Sequence, residues 1–340
     1  MAEPLEILTT HGYGTTFEGT VINESLTHIR VGVNQQQRDL KITPNTRLWK
    51  GSYATPVSDL HHGDKILVRT LAPGVIESAW VNLVSVRGQI IQREGATYWL
   101  ETRSPFQPTP SILPFNWTAD THWGTKNDRG IGQPPHPLPI GSFVQLVGVG
   151  TPQGIFATRL TYRLPDDPVK TSPAVAPVKK RLQIGPDVTS YCLLTWAGNA
   201  SHFSCPTGQG ACGTCNSADN NQAAWPYVLD HCNADNGCTS QCALECGNQF
   251  LFYPCGGGTG TWLTVVSVGP CQLTGPDCQC GNCEVCGDNC PDDPCGNSSD
   301  APRIVDLTTP TFARFFDPTV GCFSCTVAIA CECTDCTCPY

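Results

Sequence analysis

The sequence predicts an all-β protein, in which two small β-barrels in tandem precede a disulfide-rich domain. Glycine and proline are abundant, with 33 and 29 residues among 340, and they favour short strands and turns over long helices. Apolar and polar residues alternate over short runs in the first half of the chain, which is the pattern of half-buried antiparallel strands. All 22 cysteines lie between Cys192 and Cys338.

The first half of the chain contains an internal repeat. Residues 1–85 and 86–163 are therefore predicted to form two copies of a small OB-like β-barrel. Each copy opens on a strand with a central glycine and later has a second glycine, an alternating strand and an alanine at a matching distance. The matching positions are, in pairs, Gly19 and Gly88, Gly63 and Gly141, and Ala79 and Ala157.

Two segments interrupt this pattern. The second copy carries additional residues between Pro105 and Pro139, rich in proline and aromatic side chains, which predict a long loop. Residues 164–183 combine prolines with alanine, valine and charged residues, a composition typical of a semi-extended linker. The third domain is then predicted to cover residues 184–340.

The cysteines indicate an oxidising environment. They make up roughly 15% of the segment that contains them, a density typical of disulfide scaffolds. Their even number allows complete pairing, although spacing alone does not determine which cysteines pair. The first residues lack the basic and apolar regions of a signal peptide, so an extracellular or cell-surface location is predicted from the cysteines alone.

Charge and hydropathy exclude several partners. The formal net charge is −9 with only 20 lysines and arginines, so the chain lacks the basic surface that nucleic-acid binding requires. No apolar run approaches the roughly 18 residues of a membrane-spanning helix. The sequence predicts no cofactor.

Four segments of the third domain occur in a characteristic order. Gly210–Cys215 comes first and Ala223–Pro226 second. Gly260–Cys271 follows with its valine-rich strand, and Arg303–Phe316, with Asp-Leu-Thr before an apolar turn, comes last. In this order they resemble the double-psi β-barrel family of barwin, expansins and rare lipoprotein A. The resemblance covers residues 192–330, with a cysteine-rich insertion at 272–300. It implies a double-psi β-barrel that binds wall polysaccharides or acts on them.

The resemblance matches the acidic residue of the family to Asp306. A carboxyl group beside a glycosidic oxygen acts as a general acid when its pKa is raised. This chain has Ser267 in the region where the family has a second aspartate, so a two-carboxylate mechanism lacks its partner there. The alternative is structural, because an aspartate ahead of a helix caps its first turn.

Four aromatic residues are candidates for contact with a glycan. Flat aromatic faces suit pyranose rings, but the same side chains also fill the cores of small barrels. Trp262 alternates with Leu263, so one of these two side chains is expected to face inward. The candidates are Trp196, Trp225, Tyr227 and Trp262.

One run of cysteines matches the spacing of bacterial iron–sulfur ligands, C-x2-C-x2-C-x3-C-P. Its members are Cys280, Cys283, Cys286 and Cys290. A single run, polar neighbours and the high local density of cysteine favour a disulfide-knotted loop, with an iron–sulfur cluster or another metal thiolate as alternatives.

Three functions remain open from the sequence. The first is a disulfide-hardened structural or adhesive protein of the cell surface, which binds cell-wall polysaccharide or self-associates into a homopolymer such as a filament or sheath. The second is a wall-active enzyme, of the lytic transglycosylase or expansin type, with Asp306 as its acid. The third is a metal or electron-transfer protein that uses Cys280–Cys290.

Overall fold

The structure is a computed structural model, and its described residues lie mostly in strands. It describes residues 15–51, 53–102, 110–125, 129–134, 136–165, 178–184, 189–203, 221–225, 246–257, 259–268 and 303–332, with Leu244 and Cys295. These residues form three sheets, each of which closes on itself. The prediction of an all-β fold built from barrels is confirmed.

The first barrel has the strand order of an OB-fold. Five principal strands remain when the short strands Arg47–Lys50 and Tyr53–Ala54 are left out. Counted along the chain, these five are joined in the order first, second, third, fifth and fourth, and the third and fifth are parallel. Side chains alternate along the strands, so that Ile29 and Val31 are buried while Arg30 between them is exposed. The strands are β1 (Thr15–Glu24), β2 (His28–Val33), β3 (Gln36–Lys41), β4 (Arg47–Lys50), β5 (Tyr53–Ala54), β6 (Lys65–Ala72) and β7 (Val75–Val81).

The second barrel repeats this order. Its sheet begins at Leu83, so the predicted boundary after residue 85 lies inside its first strand. The segment Pro105–Pro139 was expected to be a loop, but residues 111–124 of it form one long strand that pairs with both neighbours in the barrel. The strands are β8 (Leu83–Glu94), β9 (Thr97–Thr102), β10 (Ser111–Gly124), β11 (Arg129–Ile131), β12 (Phe143–Thr151) and β13 (Gly154–Arg163).

Backbone hydrogen bonds support the internal repeat in detail. Gly63 donates from its N–H to the carbonyl of Val21 at 2.9 Å, and Gly141 donates to the carbonyl of Ile90 at 2.7 Å. Both glycines have φ near +90°, a conformation that side chains disfavour. A Cβ on Gly88 would lie 2.0 Å from the carbonyl oxygen of Glu101, which explains the glycine in this strand.

The alanine match in the repeat is wrong. Strand pairing aligns Val81 with Ile66 in the first barrel and Tyr162 with Val144 in the second. These pairs show that Ala79 corresponds to Leu160, and that Ala157 corresponds to Ile76, near the start of β7. The difference arises because the hairpin of β12 and β13 is three residues longer than that of β6 and β7. Val144 pairs with Tyr162, 18 positions further on, whereas Ile66 pairs with Val81, 15 positions further on.

The third barrel contains six strands in the order β15, β19, β16, β18, β17 and β20, closed by the pairing of β15 with β20. Residues 178–183 of the predicted linker belong to β14, which lies outside the closed ring and pairs with β15. The elements are β14 (Val178–Ile184), β15 (Thr189–Phe203), β16 (Gln222–Trp225), β17 (Gln249–Pro254), β18 (Thr261–Val268), β19 (Arg303–Thr308), α1 (Thr309–Phe315) and β20 (Cys322–Glu332).

The strand order of this barrel has an internal symmetry. Exchanging β15, β16 and β17 with β18, β19 and β20 reproduces every pairing in the ring. The two parallel pairs, β15 with β19 and β16 with β18, exchange with each other in the same way. The barrel therefore consists of two interleaved three-stranded halves.

Helix α1 and the 3₁₀ turn that follows it, Pro318–Val320, join the third barrel to the other two. Ala313 packs with Leu67 and Trp80 in one apolar cluster. The indole N–H of Trp80 also donates to Asp317 at 3.1 Å. On the second barrel, Nε of Arg159 donates to the carbonyl of Thr319 at 2.7 Å. The three barrels thus share one interface.

Candidate functional site

Asp306 lies at the interface between the second and third barrels. It belongs to β19, and only 4% of its side chain is exposed. The guanidinium of Arg87, from β8, donates to both carboxylate oxygens at 2.9 Å. The hydroxyl of Ser201, in the parallel neighbour β15, donates to the same carboxylate. Two barrels therefore hold this side chain between them.

This geometry is that of a structural ion pair. The bidentate arrangement of arginine and carboxylate is among the stronger charge-assisted contacts in proteins. A general acid must reach the glycosidic oxygen of its substrate, whereas both oxygens of Asp306 face groups of the chain. Asp306 does not cap helix α1 either, since Thr308 occupies that position without a side-chain hydrogen bond. Catalysis by Asp306 stays a prediction.

His202, next to Ser201 in β15, is also buried at this interface. Burial lowers the pKa of its imidazole to about 4, so the ring is neutral near pH 7. One ring nitrogen, Nε2, lies 2.8 Å from the carbonyl oxygen of Pro318 and donates its proton there. The other, Nδ1, lies 3.3 Å from the hydroxyl of Thr309. His202 thus positions the turn after α1.

The aromatic candidates separate into different environments. Trp196 is 2% exposed and belongs to the core of the third barrel, which removes it from the residues able to contact a glycan. Trp225 lies in β16, but its side chain and all of Tyr227 lie outside the described residues. The side chain of Ser267 and the run Cys280–Cys290 lie outside them as well.

Trp262 is the candidate that faces solvent. Its side chain is 55% exposed, whereas that of the following residue, Leu263, is fully buried. The expected alternation is therefore present, with the leucine inside the barrel and the tryptophan outside. Trp262 is directly opposite Leu251 on the neighbouring strand β17. An exposed tryptophan on a regular strand offers a large flat surface at little cost in conformational entropy.

Tyr253 shares this face, and sequence reasoning missed it. A Cβ on Gly260 would lie 2.7 Å from a ring carbon of Tyr253, so the tyrosine ring lies over this glycine. Tyr253 and Leu251 are two residues apart in β17, and Leu251 is directly opposite Trp262, so the three side chains point to the same side of the sheet. The alternation of Phe250 and Phe252 with Leu251 and Tyr253 is the signal that could have found it.

We call this surface the Trp262 face. Its described side chains are uncharged, and Gln249 donates from its amide to the hydroxyl of Thr264 at 3.3 Å. Aromatic rings beside amide and hydroxyl groups can stack on a sugar ring and hydrogen-bond its edge. The face is formed by Gln249, Leu251, Tyr253, Gly260, Trp262, Thr264 and Thr326.

A disulfide lies at the end of the Trp262 face. It joins Cys255, immediately after β17, to Cys295 near the end of the cysteine-rich insertion. Cys246 and Cys322 are also disulfide-bonded. Within the part of the chain that the structure describes, no cluster of histidine, cysteine or carboxylate side chains is arranged to hold a metal ion.

Comparisons with known proteins give no assignment. No protein-family model and no curated protein matches the chain. A solved structure that is similar in part is drosophila Unr CSD456, at 13% sequence identity over 54% of this chain and 78% of the other, with a TM-score of 0.17. A likeness at this TM-score carries no argument about function. Among the described residues, no helix has the length and apolar character needed to cross a membrane.

Proposed function

We propose that this chain is a structural or adhesive protein of the cell surface, and that its third barrel binds uncharged wall polysaccharide through the Trp262 face. The observation that carries the proposal is the exposed indole of Trp262, beside Tyr253, on a strand face whose described side chains are uncharged. The interleaved halves of the barrel also support its relationship to the double-psi β-barrel family. In that family, wall polysaccharides are the substrates or ligands.

Two further observations favour a structural protein over an enzyme. The carboxylate that the resemblance offers as an acid is bound by Arg87 and Ser201 rather than directed at solvent. The three barrels also share buried contacts through α1, which suits a rigid building block. Self-association into a filament or sheath remains part of the proposal.

The disulfides support an extracellular location for this protein. Disulfides persist in oxidising compartments and are rare where glutathione keeps thiols reduced. The bridge between Cys255 and Cys295 crosslinks the barrel to its long insertion. Such crosslinks stabilise a domain chiefly by restricting its unfolded chain, which suits a protein exposed outside the cell.

Co-sedimentation with insoluble chitin and cellulose tests the proposed binding. Trp262→Ala should lower the affinity about tenfold, because a stacked aromatic ring contributes on the order of 1–2 kcal/mol. Tyr53→Ala is the matched control, since Tyr53 is also an exposed aromatic on a strand but lies in the first barrel. Equal binding by the wild type and Trp262→Ala, or no binding by the wild type, would refute the proposal.

A further inference from the structure

The outer surface of the second barrel carries a second apolar patch. It spans the three adjacent strands β9, β10 and β13. Ile112 is 54% exposed and Phe156 is 43% exposed. Trp99 and Pro114 are half-buried and lie directly opposite each other on the same side of the sheet.

The first barrel supplies an internal reference for this patch, because the two barrels have the same strand order and register. The cross-strand pair of Trp99 with Pro114 corresponds to the pair of Arg30 with Asp39. In the first barrel this pair is an exposed salt bridge of 2.7 Å. The other counterparts are Gln37 for Ile112, Lys41 for Asn116 and Val75 for Phe156.

The comparison of the two barrels shows that the fold itself does not require apolar residues on this outer face. On this outer face, Trp99, Pro114 and Ile112 take the place of charged and polar residues of the first barrel. Phe156 takes the place of a smaller apolar residue, Val75, and Asn116 that of Lys41. Both cores are filled from the inner faces of their strands, so packing does not require apolar residues outside. Contiguous apolar patches on a protein surface mark sites of interaction.

The arrangement of the patch indicates the chemistry of its ligand. Trp99 and Phe156 lie on the two strands that flank β10, and adjacent strands are about 4.8 Å apart, so their backbones are separated by roughly 10 Å. Asn116 lies between them and pairs directly with Phe156. Two aromatic rings with an amide between them suit a chain of sugar rings, which needs both flat contacts and hydrogen-bonding groups.

The charges of the residues in and beside the patch narrow the class of ligand further. No lysine or arginine belongs to the patch among the described residues, and Glu101 lies opposite Ile112 at its end. Anionic polymers such as nucleic acids are held mainly by cations, so this surface disfavours them. Its chemistry matches that of the Trp262 face.

We infer that the patch of Trp99, Ile112, Pro114, Asn116 and Phe156, here called the Phe156 face, is a second binding site for an uncharged polysaccharide strand. The inference rests on the proposed function only for the class of ligand. Two sites on barrels that share a buried interface make the protein bivalent. Bivalency raises the apparent affinity for a repetitive polymer beyond that of either site alone.

Co-sedimentation with insoluble chitin and cellulose also tests this inference when Phe156→Ala is included. Phe156→Ala is expected to lower the affinity about tenfold, and the double variant with Trp262→Ala to lower it further than either change alone. Tyr53→Ala again serves as the control. Because Phe156 is exposed, the variant should retain the thermal unfolding midpoint of the wild type, which verifies that it is folded.

The outcomes distinguish the two proposals. Unchanged binding by Phe156→Ala overturns the second site, while a loss with Trp262→Ala still supports the proposed function. A loss with Phe156→Ala alone supports the second site and contradicts the role of Trp262. Sedimentation velocity gives the remaining test. Concentration-dependent self-association that Phe156→Ala abolishes would assign the patch to a second copy of the chain and overturn the glycan assignment.

Discussion

Replacing Glu18 with glutamine is expected to stabilise the protein above neutral pH and to have little effect at pH 4. Glu18 is a partly buried residue of β1. It lies on the same outer side of the strand as Thr16, which contacts Pro310 of helix α1. Burial raises the pKa of its carboxyl group from 4.5 to about 7, and the ammonium of Lys65 acts in the opposite direction. The folded protein therefore disfavours the ionised carboxylate.

The size of the effect follows from this shift in pKa. Between pH 4.5 and 7 the folded protein retains a proton that the unfolded chain has released, so the free energy of unfolding falls as the pH rises. Above pH 7 both states are ionised and the dependence on this group ends. A shift from 4.5 to about 7 corresponds to a loss of about 3 kcal/mol by pH 8. Glutamine has no ionised form and avoids this loss.

Urea unfolding of the wild type and Glu18→Gln at pH 4 and pH 8 measures the difference. The variant should be more stable by up to about 3 kcal/mol at pH 8 and should match the wild type at pH 4. Glu94→Gln, which changes an exposed carboxylate of β8, is the control and should change neither value. A Glu18→Gln variant that is less stable than the wild type at pH 8 would refute the reasoning.

Two further predictions concern buried positions. Asp306→Asn should lower the free energy of unfolding by about 3 kcal/mol, because it leaves the guanidinium of Arg87 without its counterion; adding Arg87→Met should recover part of this loss in the same urea experiment. Gly88→Ala should destabilise the protein by about 3 kcal/mol or more, because its Cβ would clash with a backbone carbonyl. Gly257→Ala, which has open space around it, should leave the thermal midpoint within about 1 °C of the wild type, and a large fall there would contradict this explanation.

The sequence predicted what local patterns determine. Alternation along a strand is a property of neighbouring residues, so the barrels followed from it, as did the opposite orientations of Trp262 and Leu263, though not which of the two faces outward. The type of residue did not separate Trp196 from Trp262, because a tryptophan suits a core and a binding surface equally well. Only the closed barrel shows which of the two is buried.

Contacts between barrels were beyond prediction for a different reason. Arg87 and Asp306 are 219 positions apart, and no periodic pattern connects residues in separate domains. The capping role considered for Asp306 was a local explanation for a residue whose partner is distant. The Phe156 face was missed because its significance depends on comparing two barrels in register, and the longer hairpin of β12 and β13 conceals that register in the sequence.

The shared interface also affects how the protein is made. Trp80 and its partner Asp317 are separated by 237 positions, which a ribosome needs roughly 10–50 s to translate at about 5–20 residues per second. Throughout this interval, Leu67 and Trp80 have no helix to cover them. The nascent chain therefore presents an uncovered apolar surface to chaperones, and to neighbouring nascent chains, until α1 emerges.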